Sequence, residues 1–254
     1  MESLMELKQT ECALPTECSS PAAPIWQDVL AQAVTGELVA AMNYAALAEI
    51  CDDPEEAREA LEHAAIERSH AAAFTAAGRK MGVDVVSNVD GKHWKRLREA
   101  FMQCVAERDY LGCLIVQEIM LEAFALASYT RVAKVAPASL GRVFGVIAAE
   151  EQVHASHAIA ILKAERDRNP QGFDDKLHRL HLEVMTTLAK MLAKECKDGH
   201  CEVCVSSCVK PSLIEVSLSA AQLRGASLQQ YLKTLDALGL PGEVTLTWVA
   251  QLPV

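Results

Sequence analysis

Aromatic residues are scarce in this chain, only 5% of 254 positions, and so are glycine (12) and proline (9). That shortage, with abundant Ala, Leu, Glu and Lys, excludes a turn-rich β protein and points to helices. No stretch reaches the roughly 20 consecutive apolar residues of a membrane span, so none is expected. Basic blocks are also missing. The formal net charge of −10 argues against nucleic acid or an anionic membrane as partner and suits a protein that meets a small redox protein. The opening MESLMELKQTECALPTECSSPAAP is polar and has no apolar core of a secretion signal. Together with an odd number of cysteines, nine, this leads us to expect reduced thiols and a cytoplasmic protein.

What is present is helical periodicity. Residues 1–23 read as a flexible lead-in and 24–254 as a single helical domain, with a Cys-rich loop at 195–212 and a C-terminal extension at 213–254. The spacing predicts a first helix over Pro24–Glu49. A second runs to about Met81, opened by Asp53 as N-cap, Pro54 at the first position and Glu56 at the third, and closed by Gly82. Further helices are expected at His93–Ala106, Tyr110–Ala136, from Pro137 to the breaker Asn169-Pro170, at Asp174–Lys194, Leu213–Leu223 and Ser227–Leu238. The tail GEVTLTWVAQLPV fits a strand or a final helical turn.

Two Glu-x-x-His pairs stand out: Glu67 and His70 in IERSH, and Glu151 and His154 in EEQVH. Residues three apart project from one helical face. Here that face is the apolar one, with Leu61, Ala64, Ala71 and Phe74 around the first pair and Phe144, Ile147 and Ala158 around the second. An ionised carboxylate on such a face costs several kcal/mol unless it is paired or binds a metal. Upstream of each pair lies another inward glutamate, Glu37 preceding Glu67 by 30 residues and Glu122 preceding Glu151 by 29. The chain thus repeats one unit, a helix with an inward Glu followed by a helix with an inward Glu-x-x-His. Four such helices make an all-α four-helix bundle around a di-metal site. Four carboxylates and two imidazoles suit two divalent irons, with manganese the alternative, and leave open positions for dioxygen.

On those six positions, and on the stretches GELVAAMNYAALAEI, IERSHAAAFTAAGRKMGV, CLIVQEIMLEAFALASY and AEEQVHASHAIAIL, the chain resembles the cyanobacterial aldehyde-deformylating oxygenases. These are also called long-chain fatty aldehyde decarbonylases and belong to the ferritin-like superfamily. The likeness runs from about Val34 to Lys163 and more loosely to the C-terminus. It implies a ferritin-like bundle with added C-terminal helices and metal ligands at Glu37, Glu67, His70, Glu122, Glu151 and His154. It further implies conversion of a fatty aldehyde to an alkane one carbon shorter plus formate, using dioxygen and electrons from a ferredoxin-type donor and its reductase. By the same resemblance Tyr129 and Gln117 lie near the chemistry, and Tyr44, Phe74 and Ala77 lie along a hydrophobic substrate channel. Tyr129 is two turns beyond Glu122 on the same face, which agrees.

The departures are specific. Ala77 stands where the family commonly has Cys, Ser69 where it has Arg, and His93-Trp94 where it has a phenylalanine pair. Glu150 replaces an Asp, keeping an acceptor that can hold a ligand imidazole from behind. Glu118 replaces a small residue beside the channel. About 40° around the helix from Glu122, it could be an added ligand, a substrate-recognising carboxylate or a solvated charge; the solvated edge is the expected place. Cys196, His200, Cys201, Cys204 and Cys208 crowd one polar loop and could bind an accessory soft metal. Three functions follow: the aldehyde-cleaving di-iron oxygenase, a related di-iron oxygenase or oxidase for a more polar small molecule, and ferritin-like iron oxidation and storage.

Overall fold

The structure, a computed structural model, describes residues 22–193 and 210–253, without the side chains of His154, Ala155 and His157. The accessory-metal candidates Cys196, His200, Cys201, Cys204 and Cys208 lie outside the described residues. Helices α1 (Ala23–Ala48) and α2 (Pro54–Lys80) form one hairpin. The second begins as a single long rod made of α4 (Tyr110–Leu114), a π-helical segment (Ile115–Leu121) and α5 (Glu122–Val135), and returns as α6 (Ala138–Arg168). The two hairpins are the two copies of the repeated unit. Between them runs α3 (Lys92–Ala106), and α7 (Pro170–Met191) packs on α3, α6 and the π segment. A 3₁₀ turn (Lys210–Val216), α8 (Ala220–Ala237) and α9 (Gly242–Ala250) follow, with α8 laid along α5. Among the described residues there is no strand.

Local chemistry sets most boundaries. The Asp53 side chain accepts the Glu55 N–H at 2.9 Å and Pro54 opens α2. Gly82, at φ +73°, takes the left-handed position after the α2 C-cap Met81, where a side chain would strain the backbone. Glu56 does not complete a capping box; its carboxylate instead accepts from Tyr110 Oη across the bundle at 2.5 Å.

Other expectations need correction. Asn169-Pro170 does end α6, but Asn169 also caps the next helix, accepting the Gly172 N–H at 3.2 Å, so α7 starts at Pro170 rather than near Asp174. The two short helices expected after residue 213 are instead a 3₁₀ turn and one 18-residue helix. Ser217 at φ 58° breaks the chain there, and Ser219 caps α8 through the Gln222 N–H. The tail resolves as helix. Leu61, assigned to the apolar stripe of α2, is 55% exposed.

One helix, Tyr110–Val135, is long and apolar enough to cross a membrane by length and composition, although charged and polar residues interrupt it. It is the central rod of the bundle: 72% of its most apolar stretch is buried, and it carries the buried Gln117, Glu118 and Glu122.

Candidate metal centre and the cavities that reach it

Glu37 from α1, Glu67 and His70 from α2, and Glu151 from α6 are all buried, with one ligand atom of each lying within 4.8 Å of the others. The imidazole marks their meeting point. His70 Nδ1 stands 2.7 Å from Glu151 Oε1, 3.2 Å from Glu37 Oε2 and 3.4 Å from Glu67 Oε2. One ring nitrogen cannot direct a single proton at three carboxylates. Three carboxylate oxygens and a nitrogen converging on one point are what a coordinated divalent cation requires.

The electrostatics agree. Burial raises the Glu67 carboxyl well above its ordinary range, and the neighbouring Glu151 and Glu37 charges raise it further. Glu122 is raised by burial, then by Glu151, Glu118 and Glu37. Burial alone would lower the His70 imidazole, but its hydrogen bonds to Glu151, Glu37 and Glu67 outweigh that and raise it. A cluster so acidic and so dry fits a metal better than protons.

The remaining expected residues surround this point. Glu122 is buried at the start of α5 and feels both Glu151 and Glu37. Its carboxylate accepts from Gln117 Nε2 at 2.8 Å, and Gln117 Oε1 in turn accepts from Asn43 Nδ2 at 2.9 Å. Tyr129 Oη donates to Glu37 Oε1. Burial first, then Glu37, raises the phenol, so it stays a donor. Its ring is held by Phe74 and Phe144 at centroid distances of 5.3 and 5.5 Å. Glu150 does hold a ligand imidazole from behind, and the ring it reaches is His70, whose Nε2 lies 3.1 Å from Glu150 Oε2. The sixth expected ligand, His154, sits one turn beyond Glu151 on α6, with its side chain outside the described residues.

Two cavities lie along the α4–α5 rod, and one of them opens onto this centre. The larger, about 160 Å³, lies between α1 and α5, with Trp94, Phe124, Leu188 and Leu213 among its walls. It ends at Glu37, Glu67, Gln117, Glu122 and Tyr129. Of the expected channel residues, Tyr44, Phe74, Ala77 and Glu118 are not on its walls. Phe74 packs behind Tyr129, and Ala77 lies in the apolar cluster at that end of the bundle. Tyr44 and Glu118 line the smaller cavity, about 30 Å³, on the α4 side of Glu122.

The expectation for Glu118 is overturned by the backbone. It is 3% exposed, not solvated, and accepts from Tyr44 Oη at 2.5 Å. In an α-helix, four residues overshoot one turn by about 40°. Here the segment Ile115–Leu121 is π-helical, and the Glu122 N–H bonds Gln117 O, five residues back. The wider turn carries Glu118 inward, below Glu122. A signal existed: Gln117 and Glu122 were both expected inside, and a spacing of five is out of phase with 3.6 residues per turn. Asn43, His63 and Tyr110 were not singled out from the sequence, since each is a single polar residue without a repeating partner.

The comparisons come to the same place. A solved structure of a protein with aldehyde deformylating oxidase activity from Synechococcus superposes on this one with a TM-score of 0.77, covering 91% of this chain and 98% of that one. At 18% identity this is a likeness of fold. The sequence model of the long-chain fatty aldehyde decarbonylases matches residues 25–215, a span that contains every carboxylate and imidazole described above. The chain belongs to the long-chain fatty aldehyde decarbonylase family.

Proposed function

We propose that the protein holds two iron ions, with manganese as the alternative, and uses dioxygen and external electrons to cleave a long-chain fatty aldehyde to an alkane one carbon shorter and formate. The observation that carries this reading is the closed end of the large cavity, where apolar walls meet the acidic cluster at Glu37, Glu67 and Glu122. An alkyl tail gains about 0.8 kcal/mol per buried methylene there, while its carbonyl end is delivered to the metal ligands.

Glu37, Glu67, His70, Glu122, Glu151 and His154 would hold the ions. Bound there, the metals supply the dioxygen and electron-transfer chemistry. The chain's own residues do the rest. Gln117, braced by Asn43, fixes one oxygen of Glu122. Tyr129 fixes Glu37 and stands on the cavity wall. Trp94, held by its indole N–H to Gln32 Oε1 at 3.0 Å, keeps the α1 side of the cavity apolar. A more polar substrate was suggested by Glu118, and that carboxyl opens away from the large cavity, which supports the fatty aldehyde instead. Electrons are assigned to a ferredoxin-type donor with its reductase.

The test is aerobic incubation of iron-loaded protein with a reducing system and aldehydes of graded length, following formate and alkane. Equimolar formate and alkane are expected. Neither product from a fully loaded protein would refute the assignment.

A further inference from the structure

The proposed reaction consumes protons. An aldehyde RCHO with O₂, four electrons and four protons gives RH, formic acid and water, so every turnover must bring protons to a buried site. The large cavity cannot serve, because its walls are mainly apolar and the substrate tail fills it. The smaller cavity lies on the α4 side of Glu122 without touching the cluster itself; Glu118 on its wall stands four residues before Glu122, which feels its charge. Its outer wall carries the half-buried Glu56, Glu59, His63 and Tyr110, and its inner wall the buried Tyr44 and Glu118. Its volume of about 30 Å³ has room for at least one water.

The groups are aligned as well as close. On α2, Glu59, His63 and Glu67 follow one another at four-residue steps, a single line down one helical face from the cavity to the metal cluster. On the facing rod, Tyr110, Leu114, Glu118 and Glu122 do the same, the π turn bringing the last two into register. Between the lines stands Tyr44, its ring edge-on to His63 at 5.1 Å and its hydroxyl on Glu118. Burial, then the charges of Glu118, Glu122 and Glu67, raise this phenol well above its ordinary value, so it holds its proton and donates it.

We propose that Glu118 is the inner station of a proton path that enters at Glu56, Glu59 and His63, crosses the small cavity and delivers protons to the carboxylate cluster at Glu122. The inference rests on the function proposed above for its proton demand, but the path itself is geometric. Glu118 accepts a proton on one carboxyl oxygen from the cavity side and releases one toward Glu122, returning to its starting state each cycle. No bond to carbon or metal changes at Glu118. The oxidant is O₂ and the reductant the external electron donor.

The experiment compares Glu118→Gln, which keeps the shape and an acceptor for Tyr44 but cannot pass a proton, with Glu118→Ala and Tyr44→Phe in the full-length protein. In Glu118→Gln, metal content and the KM for aldehyde should match the parent, while kcat falls on the order of a hundredfold and the solvent deuterium isotope effect on kcat increases. Acetic acid should partly restore Glu118→Ala by filling the vacated space. Consumption of O₂ by the reduced, metal-loaded protein without aldehyde should slow in parallel, which reads the path even if aldehyde proves to be the wrong substrate. Unchanged kcat and isotope effect in Glu118→Gln overturn the proposal. So does a loss of bound metal in that variant, since it would make Glu118 a ligand. Absence of aldehyde turnover in the parent, with O₂ consumption still slowed by Glu118→Gln, refutes the assigned substrate alone.

Discussion

One buried histidine joins α7 to both C-terminal helices, and its chemistry makes that junction sensitive to acid. His181 on α7 is fully buried. Its Nδ1 lies 3.1 Å from Tyr231 Oη on α8 and its Nε2 3.1 Å from the Trp248 carbonyl on α9. A neutral imidazole satisfies both, donating to the carbonyl and accepting from the phenol. A protonated one has two donors and would force the tyrosine to turn. Burial therefore lowers the imidazole from 6.5 to about 4, the carbonyl opposing this and nearby His178 adding to it. Because the folded value lies below the unfolded one, the unfolded chain binds the extra proton first, and stability falls as the pH falls from 6.5 toward 4. The difference between those two values corresponds to about 3 kcal/mol, of which about 2 kcal/mol is lost between pH 7.5 and pH 5. Denaturant unfolding across that range should show this slope in the parent, over and above a His181→Gln variant that cannot titrate. Because α8 packs along α5 and contributes Leu223 to the large cavity, the same acid shift should loosen the cavity wall. Equal pH slopes in the two proteins would refute the reasoning.

Metal loading should raise the melting temperature, because ligands that bind only the folded state stabilise it. At a hundredfold excess over Kd the gain is about 2.7 kcal/mol, roughly 5–10 °C for a chain of this size, and Glu67→Gln should remove most of it. Uptake should also release protons and strengthen with pH, since Glu67 and Glu122 are raised in the metal-free protein; proton release measured in weak buffer checks this. Ala125→Phe, on the cavity wall, should displace about two methylenes of a long tail, at about 1.6 kcal/mol or a little over tenfold in KM, and leave short aldehydes unaffected. Gly78→Ala places a methyl 2.3 Å from Val85 Cγ2 and should cost about 1–3 kcal/mol in denaturant unfolding.

The parts of this protein that were legible in its sequence are those where a wrong residue would be expensive. Four glutamates on apolar stripes are intolerable without a partner, so Glu37, Glu67, Glu122 and Glu151 declared both the bundle and its centre, and five of the six expected ligands either form the described cluster or, as Glu122, border it. Caps carried the helix boundaries in the same way, through Asp53, Gly82 and Asn169. Elsewhere the sequence was silent for a physical reason. A π turn has no composition of its own, being an inserted phase shift in an otherwise ordinary apolar run. Which wall of the centre Tyr44 or Phe74 would face depends on helix rotation and tilt, which intrahelical spacing does not encode. Leu61 looked internal by periodicity alone and is external because α2 turns its other side to the bundle.

The duplication explains why the π segment falls where it does. In the first copy, α1 carries Glu37 and nothing else acidic on its inner face near that residue. In the second, the equivalent rod must place Gln117, Glu118 and Glu122 inward within six residues, a set that no regular α-helix can direct to one side. Widening the turn is the local answer, and it is available because Ile115, Val116, Ile119 and Met120 fill the space around it with fully buried side chains. Breaking the symmetry in one copy leaves the α5 end apolar and makes the α4 end acidic and tyrosine-lined. The centre thus has an apolar cavity on one side, fit for a hydrocarbon tail, and beyond Glu118 on the other a small cavity lined by groups that exchange protons with water.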